Sequence, residues 1–262
     1  MVTRARLDAE LVRRGLARSR GQAAELIEEG RVAVRGITAD KAATVVDRDT
    51  PVTVVATAER EWASRGAHKL IGALDGLEVD PAGLRCLDAG ASTGGFTDVL
   101  LDRGAREVIS VDVGYGQLVW RLRSDARVRV HDRTNVRALT PAAIGGPVQL
   151  TVADLSFISL RTVLPALAAC TEGVLLPMVK PQFEVGKQRL GAGGVVRDPA
   201  LRLGALRDVA ATARELGWRL SGAVASPLPG PSGNVEYFLC LRRDGADVGD
   251  DALAHAVAVG PS

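Results

Sequence analysis

Thirty-three of the 262 residues are Lys or Arg, yet only four of these are lysines: Lys41, Lys69, Lys180 and Lys187. A desolvated lysine can give up its proton near neutrality and arginine cannot, so acid–base chemistry is one reason for an arginine-rich chain to keep a lysine. Lys69 stands in SRGAHKL and Lys180 in PMVKPQFE, while two acids stand in similarly apolar settings, Asp154 in VADLSF and Glu236 in GNVEYF. An amine beside a carboxylate can hold or accept a proton. These four residues are the candidates for chemistry.

The elements that would bring them together are legible as alternating strand-like and helical runs. Strands are expected at Leu84–Leu87, Glu107–Val111, Val128–Val130, Gln149–Ala153 and Val174–Val179, with helices between them. Such alternation implies a parallel sheet with helices on both faces, whose strand ends converge on one crevice. Asp154 and Lys180 would end the fourth and fifth strands, and a short helix would carry Lys69 over the crevice. Arg219–Ala225 and Val235–Leu241, joined by the turn-rich SPLPGPSGN, would close the sheet as an antiparallel hairpin bearing Glu236.

The first strand runs through RCLDAG into GASTGGF, where an α/β unit meets its ligand at a helix N-terminus. Gly90, Gly94 and Gly95 would permit tight turning and close approach, with Ser92, Thr93 and Phe96 in the same loop. The order is GxSxGG and not the dinucleotide GxGxxG. Asp112, about twenty residues on, could accept hydrogen bonds from ribose hydroxyls, and Asp132 after the third strand could receive an adenine amino group. Together these point to S-adenosylmethionine over a dinucleotide, in a Rossmann-like α/β fold of the methyltransferase kind, with Asp154 also lining the cofactor site.

The N-terminal region differs. Leu7, Leu11 and Leu16 fall near helical spacing, and Ser19 can cap a second helix from Arg20 to Glu29 that stops at Gly30. Strand-like runs follow at Arg31–Arg35, Thr44–Val46 and Val52–Val55. Six arginines against Asp8 and Glu10 give the first twenty residues a net charge of +4, although the whole chain carries only +2. The segment contains no Phe, Trp or Tyr, which disfavours the base-stacking platforms typical of RRM or OB modules and leaves arginine contacts to phosphates and to RNA shape. The sequence LVRRGLARSR followed by AAELIEEGRVAVRG resembles the αL RNA-binding module of small-subunit ribosomal protein four. That resemblance makes Arg4, Arg6, Arg18, Arg20 and Lys41 candidate RNA contacts.

A Lys-Asp-Lys-Glu set in this order resembles the FtsJ-type ribose 2′-O-methyltransferases. A ribose hydroxyl has a high pKa, so a neutral amine beside it, Lys180 by this reading, could take or orient its proton while Lys69 disfavours a second ammonium. Phe157 could stack on an extruded base. The αL module followed by SRGAHKL, LDAGASTGGFTDVLLDRGA, VDVGYGQL, VADLSFISL, VKPQFEVGK and SPLPGPSGNVEYF resembles the TlyA family, historically labelled hemolysins. Such membership implies S-adenosylmethionine-dependent 2′-O-methylation of cytidine in ribosomal RNA. The basic lead and the residues beyond Arg243 resemble the longer type, for which the substrates are 16S and 23S rRNA in the 30S and 50S subunits and the methyl groups confer susceptibility to capreomycin and viomycin. The linker reads Arg60-Glu61-Trp62-Ala63 where similar proteins have Arg-Ala-Trp-Val, and Ala67 replaces a glycine common among them.

The expected organisation is an α+β RNA-binding domain at 1–59, a linker at 60–64, a methyltransferase domain at 65–243 and a tail at 244–262 with a short helix around Ala252–Val257. Cys86, Cys170 and Cys240 are far apart in apolar runs, which suits core packing and neither disulfides nor zinc. His68, His131 and His255 lack metal-ligand spacing, so no metal is expected. The apolar stretch Val163–Val179 is interrupted by Pro165, Glu172 and Pro177, which disfavours a membrane span and a pore-forming hemolysin, and a cytoplasmic monomer is expected. A non-catalytic RNA-binding assembly factor would keep the arginines without needing the four catalytic candidates.

Overall fold

A computed structural model describes residues 4–17, 19–55, 60–230 and 232–260, with the backbone alone at 187 and 192. The chain divides into two compact units, Met1–Glu61 and Trp62–Ser262, so the division falls inside the stretch whose composition marks a connector.

In the first unit, β1 (Arg4–Arg6) leads directly into α1 (Leu7–Arg13), and α2 (Arg20–Glu28) follows. Ser19 caps α2, its Oγ accepting from Gln22 N at 3.2 Å, and Gly30 ends the helical path at a φ of 69°. Strands β2 (Val32–Val34), β3 (Ile37–Thr38), β4 (Val45–Asp47) and β5 (Val52–Val54) complete the unit. They form a three-stranded sheet in the order β3-β2-β5 and a separate β1-β4 pair, all antiparallel. Strand β1 has no sequence signature, since three residues are too few to alternate visibly, and its pairing with β4 is what defines it. Leu7, Leu11, Ala23, Leu26, Ile27, Val32 and Val46 close the core.

The second unit begins with α3 (Gly66–Gly76) and then alternates: β6 (Arg85–Ala89), α4 (Gly95–Asp102), β7 (Glu107–Val111), α5 (Trp120–Arg123), β8 (Val128–His131), β9 (Val148–Ala153), α6 (Leu160–Cys170), β10 (Thr171–Val179), α7 (Pro181–Glu184), α8 (Pro199–Glu215), β11 (Arg219–Ala225), β12 (Tyr237–Arg242) and α9 (Gly249–Val259). Seven strands form one sheet in the order β11-β12-β10-β9-β6-β7-β8. The five from β10 to β8 are mutually parallel, and β12 runs antiparallel to both β10 and β11. Alternate residues of each strand feed two cores. Leu87, Ile109, Leu175 and Leu239 pack with α6, α8 and α9, whereas Cys86, Val108, Leu150 and Phe238 pack with α3 and α4. The Rossmann-like methyltransferase topology read from the sequence is the observed one. Cys86, Cys170 and Cys240 are all buried in these cores.

The residues after Arg243 are more ordered than a tail. Helix α9 spans eleven residues, and its Leu253 and Ala256 are buried in the same core as Trp218, Leu220 and Val209. Arg207 Nε donates to Asp250 Oδ2 at 2.8 Å, and Arg214 is paired with Asp247 at 2.8 Å, anchoring the approach to α9 on α8. The spacing of Leu253 and Ala256 is a single helical stripe too short to stand out in a run of alanine and valine. Among the described residues no helix is long and apolar enough to cross a membrane.

Because the Leu253 side chain is fully enclosed, Leu253→Ala is expected to cost about 2–5 kcal/mol of stability. Thermal unfolding of the full chain measures it, and an unchanged midpoint would show that α9 is dispensable to the core.

Candidate active site

The strand ends deliver the four candidate residues to one crevice as two ion pairs. Parallel pairing sets Pro177 of β10 beside Ala153 of β9, so Asp154 and Lys180 both emerge at the carboxyl edge. Lys180 Nζ lies 2.6 Å from Asp154 Oδ1 and donates to Ser156 Oγ at 2.9 Å. Antiparallel pairing sets Val179 opposite Tyr237, which carries the register on to Lys180 and Glu236. Glu236 Oε2 in turn accepts from Lys69 Nζ at 2.5 Å, both side chains being almost wholly enclosed.

Local packing explains how Lys69 gets there. A Cβ on Gly72 would lie 2.8 Å from the Pro227 ring, so glycine lets α3 settle against the β11–β12 connection and places Lys69, one turn earlier, beside Glu236. The connection wraps the carboxylate itself, since a Cβ on Gly230 would come within 2.6 Å of Glu236 Oε1. That oxygen is buried and, among the described residues, has no hydrogen-bond partner.

The glycine-rich loop abuts this arrangement. Gly90 has a φ of 91°, and a Cβ there would fall 2.3 Å from the Asp154 carbonyl oxygen. No larger residue fits between the loop and the catalytic strand. Ser92 has a φ of 47° and donates its backbone N–H to Asp112 Oδ2 at 2.8 Å, while Gly114 N donates to Oδ1 at 2.7 Å. The half-buried Asp112 carboxylate is thereby fixed at the end of β7 with lone pairs to spare. Asp132 accepts from Arg123 at 2.9 Å and from Gly116 N at 3.2 Å, and the Arg123 guanidinium holds its carboxyl below the usual range. A glycine cradle closed by a carbonyl, beside a fixed carboxylate, suits an adenosine-bearing cofactor.

Three residues of the loop also take part in packing. Phe96 is buried against Phe238, ring centres 6.0 Å apart, so its side chain belongs to the core. Gly94 is needed because a Cβ would strike Leu122 and Leu118, and Gly95 because one would strike Ser64. Both glycines serve the seating of α4 on its neighbours. Thr93 accepts from Val119 N through its carbonyl at 3.2 Å, which ties the loop to the start of α5.

Phe157 is 92% exposed, with a φ of 64° that a bulky residue adopts only under constraint. Its ring meets that of Phe183 at 5.3 Å, next to the Lys180–Asp154–Ser156 cluster. Helix α6 begins only at Leu160, so Phe157 stands clear of it and does not start it.

Several contributors escape sequence reasoning. Ser156 is a plain serine in a loop. Glu184 accepts from Ser159 Oγ at 2.6 Å and Leu160 N at 2.7 Å, fastening α7 to the start of α6, and burial pushes its carboxyl up. Asn234 is buried and bonds Val196 N at 2.9 Å and Gly194 O at 3.1 Å, anchoring the end of the glycine-rich 186–194 stretch two residues from Glu236. Asp88 lies in the LDAG run itself, wholly buried, its Oδ2 accepting from Thr97 Oγ1 at 2.7 Å and its Oδ1 unpartnered. Burial raises Asp88 to about 7; Thr97 opposes the shift, and the Asp154 and Asp112 charges add to it.

In the N-terminal unit, Arg4, Arg6, Arg20 and Lys41 are all exposed, and Arg18 lies outside the described residues. Arg4 reaches Asp47 at 3.3 Å, and Arg6 and Arg20 both bond Asp8.

A parallel sheet finished by an antiparallel strand, with a glycine cradle and a lysine–carboxylate cluster at its carboxyl edge, defines a methyltransferase. Residues 62–243 match the model of the FtsJ-like methyltransferases, and the chain belongs to that family; residues 5–52 match the S4 domain. Within the family its sequence is similar to the 16S/23S rRNA (cytidine-2′-O)-methyltransferase TlyA of Mycobacterium tuberculosis, with 61% identity over the whole of both chains. It is 35% identical over 68% of its length to the 23S rRNA (cytidine-2′-O)-methyltransferase TlyA of Campylobacter jejuni, which is covered over 69%. A solved structure described as a hemolysin from Streptococcus thermophilus superposes with a TM-score of 0.78 at 35% identity, covering 98% of this chain and 96% of the other.

The raised Asp88 makes stability depend on pH. A carboxyl that binds its proton more tightly when folded contributes stability below its unfolded pKa and loses it as pH rises through about 7. The melting temperature is expected to fall between about pH 4 and about pH 7 and to level off above that, and Asp88→Asn to flatten the fall. Identical slopes for the two proteins would show that Asp88 does not titrate there.

Proposed function

We propose that this protein transfers a methyl group from S-adenosylmethionine to the 2′-hydroxyl of cytidine in ribosomal RNA, acting on 16S and 23S rRNA within 30S and 50S subunits as a cytoplasmic monomer. The observation that carries the reading is the pair of enclosed lysine–carboxylate contacts at the edge of a methyltransferase sheet. Gly90, Ser92 and Asp112 would hold the cofactor, Asp112 through the ribose hydroxyls and Asp132 toward the adenine. When bound, the cofactor supplies an electrophilic methyl group.

The chain's own residues prepare the nucleophile. With its amine neutral, Lys180 Nζ accepts the proton of the 2′-hydroxyl as the oxygen attacks, and Asp154 stabilises the ammonium that forms. Ser156 fixes the direction of the Nζ lone pair. Lys69 completes the crevice, held there by Glu236. Phe157, exposed and braced by Phe183, stacks on the cytosine once it leaves the helix, and the exposed arginines of the N-terminal unit, with Lys41, grip the RNA backbone. By the same reading the modification confers susceptibility to capreomycin and viomycin.

Labelled methyl transfer to isolated 30S and 50S subunits lacking the modification, with the modified nucleotide mapped, tests this directly. Lys180→Ala is expected to lower turnover by about 10²–10⁴ while leaving RNA affinity unchanged. A fully active variant would remove Lys180 from the chemistry. Phe157→Ala removes a stacking platform and is expected to lower kcat/KM about tenfold or more. Full activity in that variant would mean the base is held elsewhere.

A further inference from the structure

Asp8 is an acid in the middle of a basic surface, and it is almost fully buried at the first turn of α1. A carboxylate does not enter a protein core without compensation. Here the compensation comes from two arginines that are themselves exposed. Arg6 spans both oxygens, Nε to Oδ1 and Nη2 to Oδ2, each at 3.1 Å. Arg20, twelve residues on, places Nη2 2.8 Å and Nε 3.3 Å from Oδ2. Ala9 N donates to Oδ1 at 2.8 Å. The two guanidinium groups therefore meet at the shared Oδ2, one arriving from β1 and the other from the start of α2.

From this geometry we propose that Asp8 is a positioning residue for RNA. It fixes Arg6 and Arg20 side by side as one preformed phosphate clamp, so that neither side chain has to be ordered when RNA arrives. The proposal rests on the reading that these arginines contact the RNA backbone. Each guanidinium carries five N–H donors and spends only its Nε and Nη2 edge on Asp8, leaving its outer donors to solvent. With 49% and 60% of their side-chain surface exposed, the pair can receive a phosphate without breaking the contacts that hold it. A free arginine surrenders much of its rotamer freedom on binding, whereas a braced one has already done so. Arg4 is the contrast: it reaches Asp47 through one contact at 3.3 Å and is 75% exposed. The Arg6 guanidinium lowers the Asp8 carboxyl to about 2, and Arg20 and Ala9 N add to this against the opposing effect of burial, so the brace is charged throughout the neutral range.

Charge alone and positioning predict opposite signs. Neutralising an acid beside phosphates should strengthen RNA binding if only net charge mattered. If Asp8 positions, Asp8→Asn should raise KM for 50S subunits lacking the methyl group roughly tenfold, with kcat at saturating subunits unchanged. Arg6→Lys and Arg20→Lys keep the charge on exposed side chains but lose the planar fork, so they should weaken binding similarly even if Asp8→Asn proves unstable. Adding Asp8→Asn to Arg6→Ala/Arg20→Ala should change KM no further. An unchanged or lower KM for Asp8→Asn, with Arg6→Ala/Arg20→Ala still impaired, overturns the positioning role alone. An unimpaired Arg6→Ala/Arg20→Ala variant removes those arginines from RNA contact, and the clamp falls with them.

Discussion

Two ammonium groups enclosed at one end of a sheet impose the constraint on which the catalytic unit depends. Neither lysine can be buried without a carboxylate within contact distance, and Glu236 cannot be buried without its lysine. Lys180 and Asp154 meet because their strands are parallel neighbours in register. The second pair needs an acid at the same edge, and a further parallel strand beside β10 would present its first residues at the opposite edge. Strand β12 solves this by running antiparallel, so that the residue entering it, Glu236, stands at the crevice. The reversal of the last strand is thus the feature that completes the site, and α3 must lie close enough to Pro227 for Lys69 to reach it.

Much of this arrangement was legible in the sequence because chain order and strand ends carry it. Alternating runs set the sheet, the turn-rich SPLPGPSGN set the hairpin, and the scarcity of lysine singled out the two that meet carboxylates at the crevice. What stayed hidden was contact between side chains distant in sequence. Gly94 and Gly95 look like ligand-loop glycines, and they also lie close against Leu118, Leu122 and Ser64, which no spacing rule connects to them. Phe96 sits in the loop by sequence and in the core by rotamer. Asp88 reads as one acid in an apolar strand, and only its enclosure beneath α4 makes it unusual. Helix α9 was underestimated because a stripe made of one leucine and small residues is faint.

The two units use acids in opposite senses. In the catalytic unit the cation is hidden, and an acid holds it in place. In the N-terminal unit the acid is hidden and the cations stay outside: Asp8 holds Arg6 and Arg20, and Glu10, 1% exposed, holds Arg13 and Arg14. A buried carboxylate can hold permanently charged guanidiniums at a surface without consuming all their donors. A lysine, with one compact charge, is the better choice where the partner is a single reacting atom.

The Lys69–Glu236 contact joins residues 167 positions apart, one near the beginning of the catalytic unit and the other entering its last strand. During synthesis the first five strands can assemble, and Lys180 can find Asp154, while Lys69 still waits for a counter-charge not yet translated. A nascent or prematurely terminated chain therefore holds half a reaction centre and an uncompensated ammonium against a growing core. Burying Lys69 without that acid is costly, so a chain that stops before Glu236 is less stable in this fold than the complete one.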